Sequence, residues 1–224
     1  MRILVLGANG RTGRAVITEA LSRGYLVTAL VRDPFSLAPH DGLAIVHGTP
    51  MEMPSIQQAF EATESGDKPS AVIVTLNSPR TSDNPFAKSV APNRLLAISA
   101  TNTLQVAEMH GVREIIWLSA FGVGTSSVNL PLVMKLLIKY SNLGKAYEDH
   151  EEVDKIMRQS DLNYVLVRPV VFNEKEKSSV EELGEEGKGV GMFDAISRSS
   201  VASFLVDAVG SKKWDQQAVV IRNS

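Results

Sequence analysis

The stretch Ile3-Leu4-Val5-Leu6-Gly7-Ala8-Asn9-Gly10-Arg11-Thr12-Gly13 decides the fold. Its first four residues form an unbroken apolar run, as a strand buried on both faces of a parallel sheet requires. Three glycines follow, and Arg14 to Leu21 then places Ala15, Val16, Ala20 and Leu21 at helical spacing. In a strand-turn-helix of this kind each glycine has its own task. The first permits the tight turn, the second removes a side chain where backbone meets a pyrophosphate, and the third lets the helix pack close to the strand. The free N–H groups and partial positive charge of the helix start favour an anion. Gly7, Asn9, Gly10, Arg11, Thr12 and Gly13 are therefore the candidate dinucleotide turn.

Outward from that turn the pattern repeats. Gly24 stops the first helix, and strands are predicted at Tyr25 to Val31, Leu43 to Val46, Ala71 to Leu76, Ile115 to Leu118 and Tyr164 to Val167. Helices are predicted at Ile56 to Ala62, Pro92 to His110, Tyr147 to Gln159 and Ile196 to Val209, with a last strand at Ala218 to Ile221. Strands alternating with helices predict an α/β, doubly wound parallel sheet, a Rossmann fold. A single domain over residues 1–224 is expected, with substrate-side loops at about 121–145 and 172–195. Ligands of such sheets bind beyond the carboxyl ends of the strands. Asn173 to Lys188, rich in Glu, Lys, Ser and Gly, breaks the pattern and reads as a solvated surface loop, or else as a flap over the pocket.

The bulk numbers narrow the function. Hydrophobic residues make up 44% and charged residues 21%, ordinary for a globular chain with a sizeable core. A formal charge of -2 argues against a nucleic-acid partner, which would call for a basic excess. With no cysteine there is no disulfide, thiolate nucleophile or cysteine zinc site. His40, His47 and His110 show no ligand grouping, so no metal is expected. The first apolar run is too short for a secretory segment, and the most apolar helix candidate, Leu130 to Tyr140, is interrupted by Lys135 and Lys139. A cytoplasmic protein with no membrane partner, monomeric or homodimeric, is expected.

The second strand selects the nucleotide. An acidic residue about 20 positions after the glycines usually holds the ribose 2′-hydroxyl of NAD. Here Val31-Arg32-Asp33 occupies the strand end. The Arg32 guanidinium suits a 2′-phosphate through charge-assisted bonds, so NADPH (with NADP+ as its oxidised form) is the expected cofactor. Arg11 and Thr12 would add to that pocket.

The segments Val5 to Gly13 and Val27 to Asp33, then Ala71-Val72-Ile73-Val74, His110-Gly111-Val112-Arg113, Leu118-Ser119-Ala120-Phe121, Asp149-His150, Leu162 to Pro169 and Ala195-Ile196-Ser197-Arg198 carry a resemblance. In order and spacing they are similar to atypical short-chain dehydrogenases. Within that group they resemble the NmrA-like branch and the biliverdin reductase B, or flavin reductase, proteins. The resemblance covers nearly the whole chain. It implies NADPH-dependent reduction of a flat aromatic acceptor such as a flavin or linear tetrapyrrole, and a quinone or a carbonyl metabolite is an expected acceptor beside these. It places Ser119 and His150 beside the nicotinamide, Pro169, Val170 and Val171 along it, and Thr49, Pro50, Leu76 and Asn77 near the adenine and ribose. The chain departs from the wider family in lacking Tyr-x-x-x-Lys: Tyr140 precedes Lys145 by five, and Glu151 follows Tyr147 at the critical spacing.

Catalytic candidates follow. The Ser119 hydroxyl, at a strand end, is placed to bond an acceptor carbonyl or the nicotinamide amide. His150 is a candidate proton donor whose charged form Glu148, Asp149 and Glu151 would favour. Tyr147 is a second donor nearby. Phe121, Phe172 and Met192 are expected to line the substrate pocket. Three functions are compatible with this set: an NADPH-dependent reductase, an NmrA-like redox sensor that binds the dinucleotide without turnover, and a non-redox isomerase. Ser119 with His150 favours the reductase.

Overall fold

The computed structural model describes residues 1–62 and 67–224. Eight strands form the main sheet, and the glycine turn opens at its centre. Strands β1 (Arg2–Leu6), β2 (Leu26–Val31), β3 (Leu43–His47), β4 (Ala71–Val74), β5 (Glu114–Leu118) and β6 (Asn163–Pro169) pair in parallel in the order β3-β2-β1-β4-β5-β6. The strand order reverses between β1 and β4, which makes that point the natural ligand crevice.

Side-chain alternation along β1 assigns the two faces. Ile3 and Val5 pack with Val16 and Ile17 of α1 (Arg11–Ser22) and with Val201 and Leu205 of α6 (Arg198–Ala208). Leu4 and Leu6 pack on the opposite face, with Ile56 and Phe60 of α2 (Met53–Glu61), Leu96 of α3 (Leu95–Met109), and Val153 and Met157 of α5 (Leu143–Arg158). A nine-residue helix, α4 (Leu132–Tyr140), packs beside α5.

Several boundaries differ from the sequence reading. Helix α1 begins at Arg11, directly on the glycine turn. Helix α3 begins at Leu95 rather than Pro92, because Arg94 takes a left-handed conformation at φ 54°. Its first turn is held by a carboxylate from another helix: Leu96 N and Ala97 N donate to Asp149 at 2.8 and 2.9 Å. This satisfies donors that a helix start otherwise leaves open and places a negative charge on the positive dipole end. Ala195–Ser197 is a strand, β9, and not the start of the last helix. The Ser197 hydroxyl then caps α6 by accepting from Ser200 N.

The largest correction concerns Asn173 to Lys188. Glu174 to Ser179 is an exposed connection, but the stretch as a whole is no loop. Strand β7 (Val171–Asn173) pairs in parallel with β9, and β8 (Val180–Glu182) adds an antiparallel eighth strand beside β10 (Gln217–Asn223), which itself pairs with β6. The stitching continues past β8, where Leu183 N donates to Val220 O and Val220 N to Gly184 O. Val180 and Leu183, the two apolar residues in an otherwise polar stretch, supply the reason: both pack against the core.

Candidate active site

The glycine turn is built from backbone contact. Gly7 sits at φ +81°, and a Cβ there would lie 2.8 Å from Leu76 N and from the Thr75 carbonyl carbon. A Cβ on Gly13 would lie 2.2 Å from Gly7 O. The end of β1, the end of β4 and the first turn of α1 thus meet with no room for a methyl group. No side chain caps α1 and no acid lies in its first turn. The donors of that turn are left without a side-chain partner, as a helix start that receives a dinucleotide pyrophosphate requires.

On one side of the turn stand Arg32 and Arg14. Arg32 is exposed at the end of β2 and makes no hydrogen bond or ion pair with the described residues. Its neighbour Asp33 accepts from Phe35 N instead. Arg14, which sequence reasoning passed over, donates to Asn9 Oδ1 and to Ser36 O, each at 2.5 Å, and so ties the glycine turn to the loop after β2. Arg11 departs from expectation. Its guanidinium lies at 2.9 Å from Asp83 and 3.3 Å from Glu174, carboxylates from segments beyond β4 and β7, and so is already paired. Glu174 is shared with Arg198. Thr12 is buried in the first turn of α1. Thr49 and Pro50 follow β3, where Pro50 O accepts from Asn102 Nδ2, and Leu76 and Asn77 follow β4 against Gly7.

On the other side a cavity of about 200 Å³ opens beyond the ends of β5 and β6. It gathers Ser119, Phe121, Tyr147, Pro169, Val170, Val171, Phe172 and Met192, all singled out in the sequence. Leu130, Pro131, Met134 and Val190, not anticipated, complete an apolar wall. Ser119 N donates to Val167 O at 2.7 Å, while its hydroxyl has no partner among the described residues and faces the cavity. The Tyr147 hydroxyl donates to Phe121 O at 3.1 Å, and burial pushes its pKa up to about 12, so it stays a phenol. Arg198 lies over the Phe172 ring at 4.8 Å.

His150 does not join this wall. It is buried on α5, its Nδ1 has no partner, and burial pulls its pKa down to about 4. This reverses the expectation that adjacent carboxylates would hold it charged. Those carboxylates are engaged elsewhere, Asp149 on the start of α3 and Glu151 on Gly124 N. Desolvation therefore outweighs sequence proximity.

A buried ion pair braces the cavity from behind. Arg168, fully buried in β6, pairs with Asp154, donates to Thr125 Oγ1 at 2.8 Å and to Glu185 O at 3.1 Å. Asp154 also takes Arg158 at 2.8 Å. The network joins β6, α5, the loop after β5 and the segment after β8. A signal for it stood in the sequence: Arg168 ends an apolar strand, where a charge demands a partner.

Comparison with known proteins agrees with this geometry. Residues 7–212 match the family described as NAD(P)H-binding. An uncharacterized chloroplastic protein of Arabidopsis thaliana is 27% identical over 214 residues, which span 93% of this chain and 71% of that protein. The fold is shared with ChuY, an anaerobillin reductase of Escherichia coli O157:H7, at TM-score 0.77 and 16% identity, covering 99% of this chain and 96% of that one. It is also shared with a short-chain dehydrogenase/reductase of Veillonella parvula in complex with NADP, at TM-score 0.75 and 16% identity, covering 98% and 93%. No described helix is long and apolar enough to cross a membrane. With its glycine cradle, its strand order and a family match over nearly its whole length, the chain belongs to the NAD(P)H-binding family, on a Rossmann fold shared with atypical short-chain oxidoreductases.

Proposed function

We propose that the protein is an NADPH-dependent reductase of a planar, largely apolar small molecule such as a flavin, a quinone or a tetrapyrrole. One observation carries the reading: Ser119, whose hydroxyl has no partner among the described residues, lines a largely apolar cavity on the same sheet edge as the glycine cradle. When bound, NADPH supplies a hydride. The chain supplies everything else. The first turn of α1 holds the pyrophosphate, and Arg32, free to form charge-assisted bonds, reads the 2′-phosphate with Arg14 fixing the adjoining loop. Pro169, Val170 and Val171 form the floor against which a nicotinamide ring lies. Ser119 Oγ orients a carbonyl or ring nitrogen of the acceptor. The Tyr147 phenol, at the cavity wall, holds a proton near the acceptor; His150, neutral and walled off, holds none near pH 7.

The test is consumption of NADPH, beside NADH, with FMN, riboflavin, biliverdin, dichlorophenolindophenol and simple quinones. Turnover that prefers NADPH is expected with at least one of them. Tight NADPH binding by calorimetry with no consumption of any acceptor would replace the reductase by a dinucleotide sensor.

A further inference from the structure

Helix α4 buries none of its nine residues, although six of them are Leu, Val, Met or Ile. Met134 and Ile138 pack inward against the core. Leu132 is 71% exposed, Tyr140 68% and Leu136 46%, and Val133 is exposed beside them. At the angular step of an α-helix these four fall within a single outward arc of roughly 100°. Lys135 and Lys139 border the arc, and Lys145 follows at the start of α5. None of the three lysines is in an ion pair with the described residues: Lys135 donates to Val128 O, and Lys139 lies over the Tyr140 ring. From residue 115 to residue 147 the chain has no Asp or Glu, although the whole chain carries a net charge of -2. The face is thus apolar at its centre and positive at its margin. The cavity lies against the inner side of the same helix. Pro131 and Met134 of this region line the cavity, Val171 and Met192 line it while being more than half exposed, and Phe193 beside them is 93% exposed.

We propose that this face docks on a lipid surface bearing anionic headgroups, with Leu132, Val133, Leu136 and Tyr140 seated at the boundary between headgroups and acyl chains and Lys135, Lys139 and Lys145 on the headgroups. An amphipathic helix with lysines at its border lies in the interface plane in this way. The expectation of no membrane partner rested on the lack of a span, and a surface helix needs none. A second copy of the chain fits the face less well, because a two-fold contact would bring the unpaired lysines of both copies together with no acid between them. Docking brings the helix that borders the cavity to the lipid, where an acceptor dissolved in the membrane would be concentrated beside it. That route rests on the reductase reading; the docking itself does not.

The experiment is co-sedimentation of the full chain with vesicles of phosphatidylcholine alone and of phosphatidylcholine mixed with phosphatidylglycerol. Binding is expected to the anionic vesicles and to weaken as salt rises. In K135Q/K139Q it should weaken about thirtyfold, from two surface lysines, and in L132S/L136S it should be lost. Both variants alter exposed residues, and their circular dichroism and turnover of a water-soluble acceptor should match the parent. Absence of binding to anionic vesicles would overturn the proposal, as would equal binding to neutral ones. So would a dimer, seen by light scattering, that Leu136→Glu disperses. Vesicle binding by a chain that consumes no NADPH with any acceptor would leave the docking standing and remove the reductase reading.

Discussion

Around Gly7 and Gly13 the walls are backbone atoms, whereas around Ser119 they are side chains drawn from five separate stretches of chain. The first site tolerates no added methyl group. The second is a surface of Leu, Pro, Met, Phe and Val in which one side chain can replace another of similar volume. A backbone-walled site recognises what every dinucleotide shares. A side-chain-walled site can change its ligand while the fold stays constant, which is why fold and cofactor are plain here and the acceptor is known only by its shape and polarity.

The largest effect should come from the brace behind the acceptor side. Asp154→Asn leaves the fully buried Arg168 without its charge partner, and about 3–5 kcal/mol of stability should be lost in urea unfolding. A loss under 1 kcal/mol would mean that the acceptor side does not depend on this network. Next is pH. His150 titrates near 4 in the folded chain against 6.5 when exposed, so the unfolded state binds more protons between those values. Stability should therefore be full above pH 6.5 and fall by up to about 3 kcal/mol as pH drops toward 4. His150→Leu should flatten that slope. The separate loss from Glu19, held down to about 2 by Lys177 and Arg23, lies at lower pH. No inflection near 6.5 should appear in the pH profile of turnover; one that vanishes in His150→Leu would return His150 to the chemistry.

Gly13→Ala tests the backbone-walled side directly. Its Cβ meets Gly7 O at 2.2 Å, so about 1–3 kcal/mol of stability should go, together with NADPH affinity measured by calorimetry. Unchanged affinity would show that the cradle is not where the nucleotide lies. Arg32→Ala should weaken NADPH about thirtyfold, from the loss of a charge-assisted bond, and leave NADH unchanged. Equal weakening of both nucleotides would sink the assignment to the 2′-phosphate. Ser119→Ala should be mildest, slowing turnover about tenfold with cofactor affinity intact, the worth of one hydrogen bond. Full activity would remove Ser119 from the acceptor site.

The same contrast explains what was legible in the sequence. Local rules fix the strand-turn-helix of Ile3 to Leu21, and the parallel order of the first six strands follows from it and from crossover handedness. Phe121 and Phe172 stand just beyond the ends of β5 and β6, which makes their place at the cavity legible, while Tyr147 reaches it from α5. What escaped is non-local. The direction of the Arg11 guanidinium is set by Asp83 and Glu174, far away in sequence. The neutrality of His150 is set by burial, which its acidic neighbours conceal. The capping of α3 by Asp149 joins two helices that share no local motif.

Strand β8 has one further consequence. A sheet that ended at β10 would leave Val220 N and O bare and the stretch Ile221 to Asn223 unpaired along that side, an invitation to add strands from other molecules. Instead the border strand is three residues long and carries Glu181 and Glu182, each already committed, to Arg222 and to Lys213 with Trp214. A short, charged and tethered border gives an incoming strand little to extend and a charge to bury. At this border, then, the acidic stretch offers an incoming strand little to pair with, while β3 closes the sheet on the opposite side.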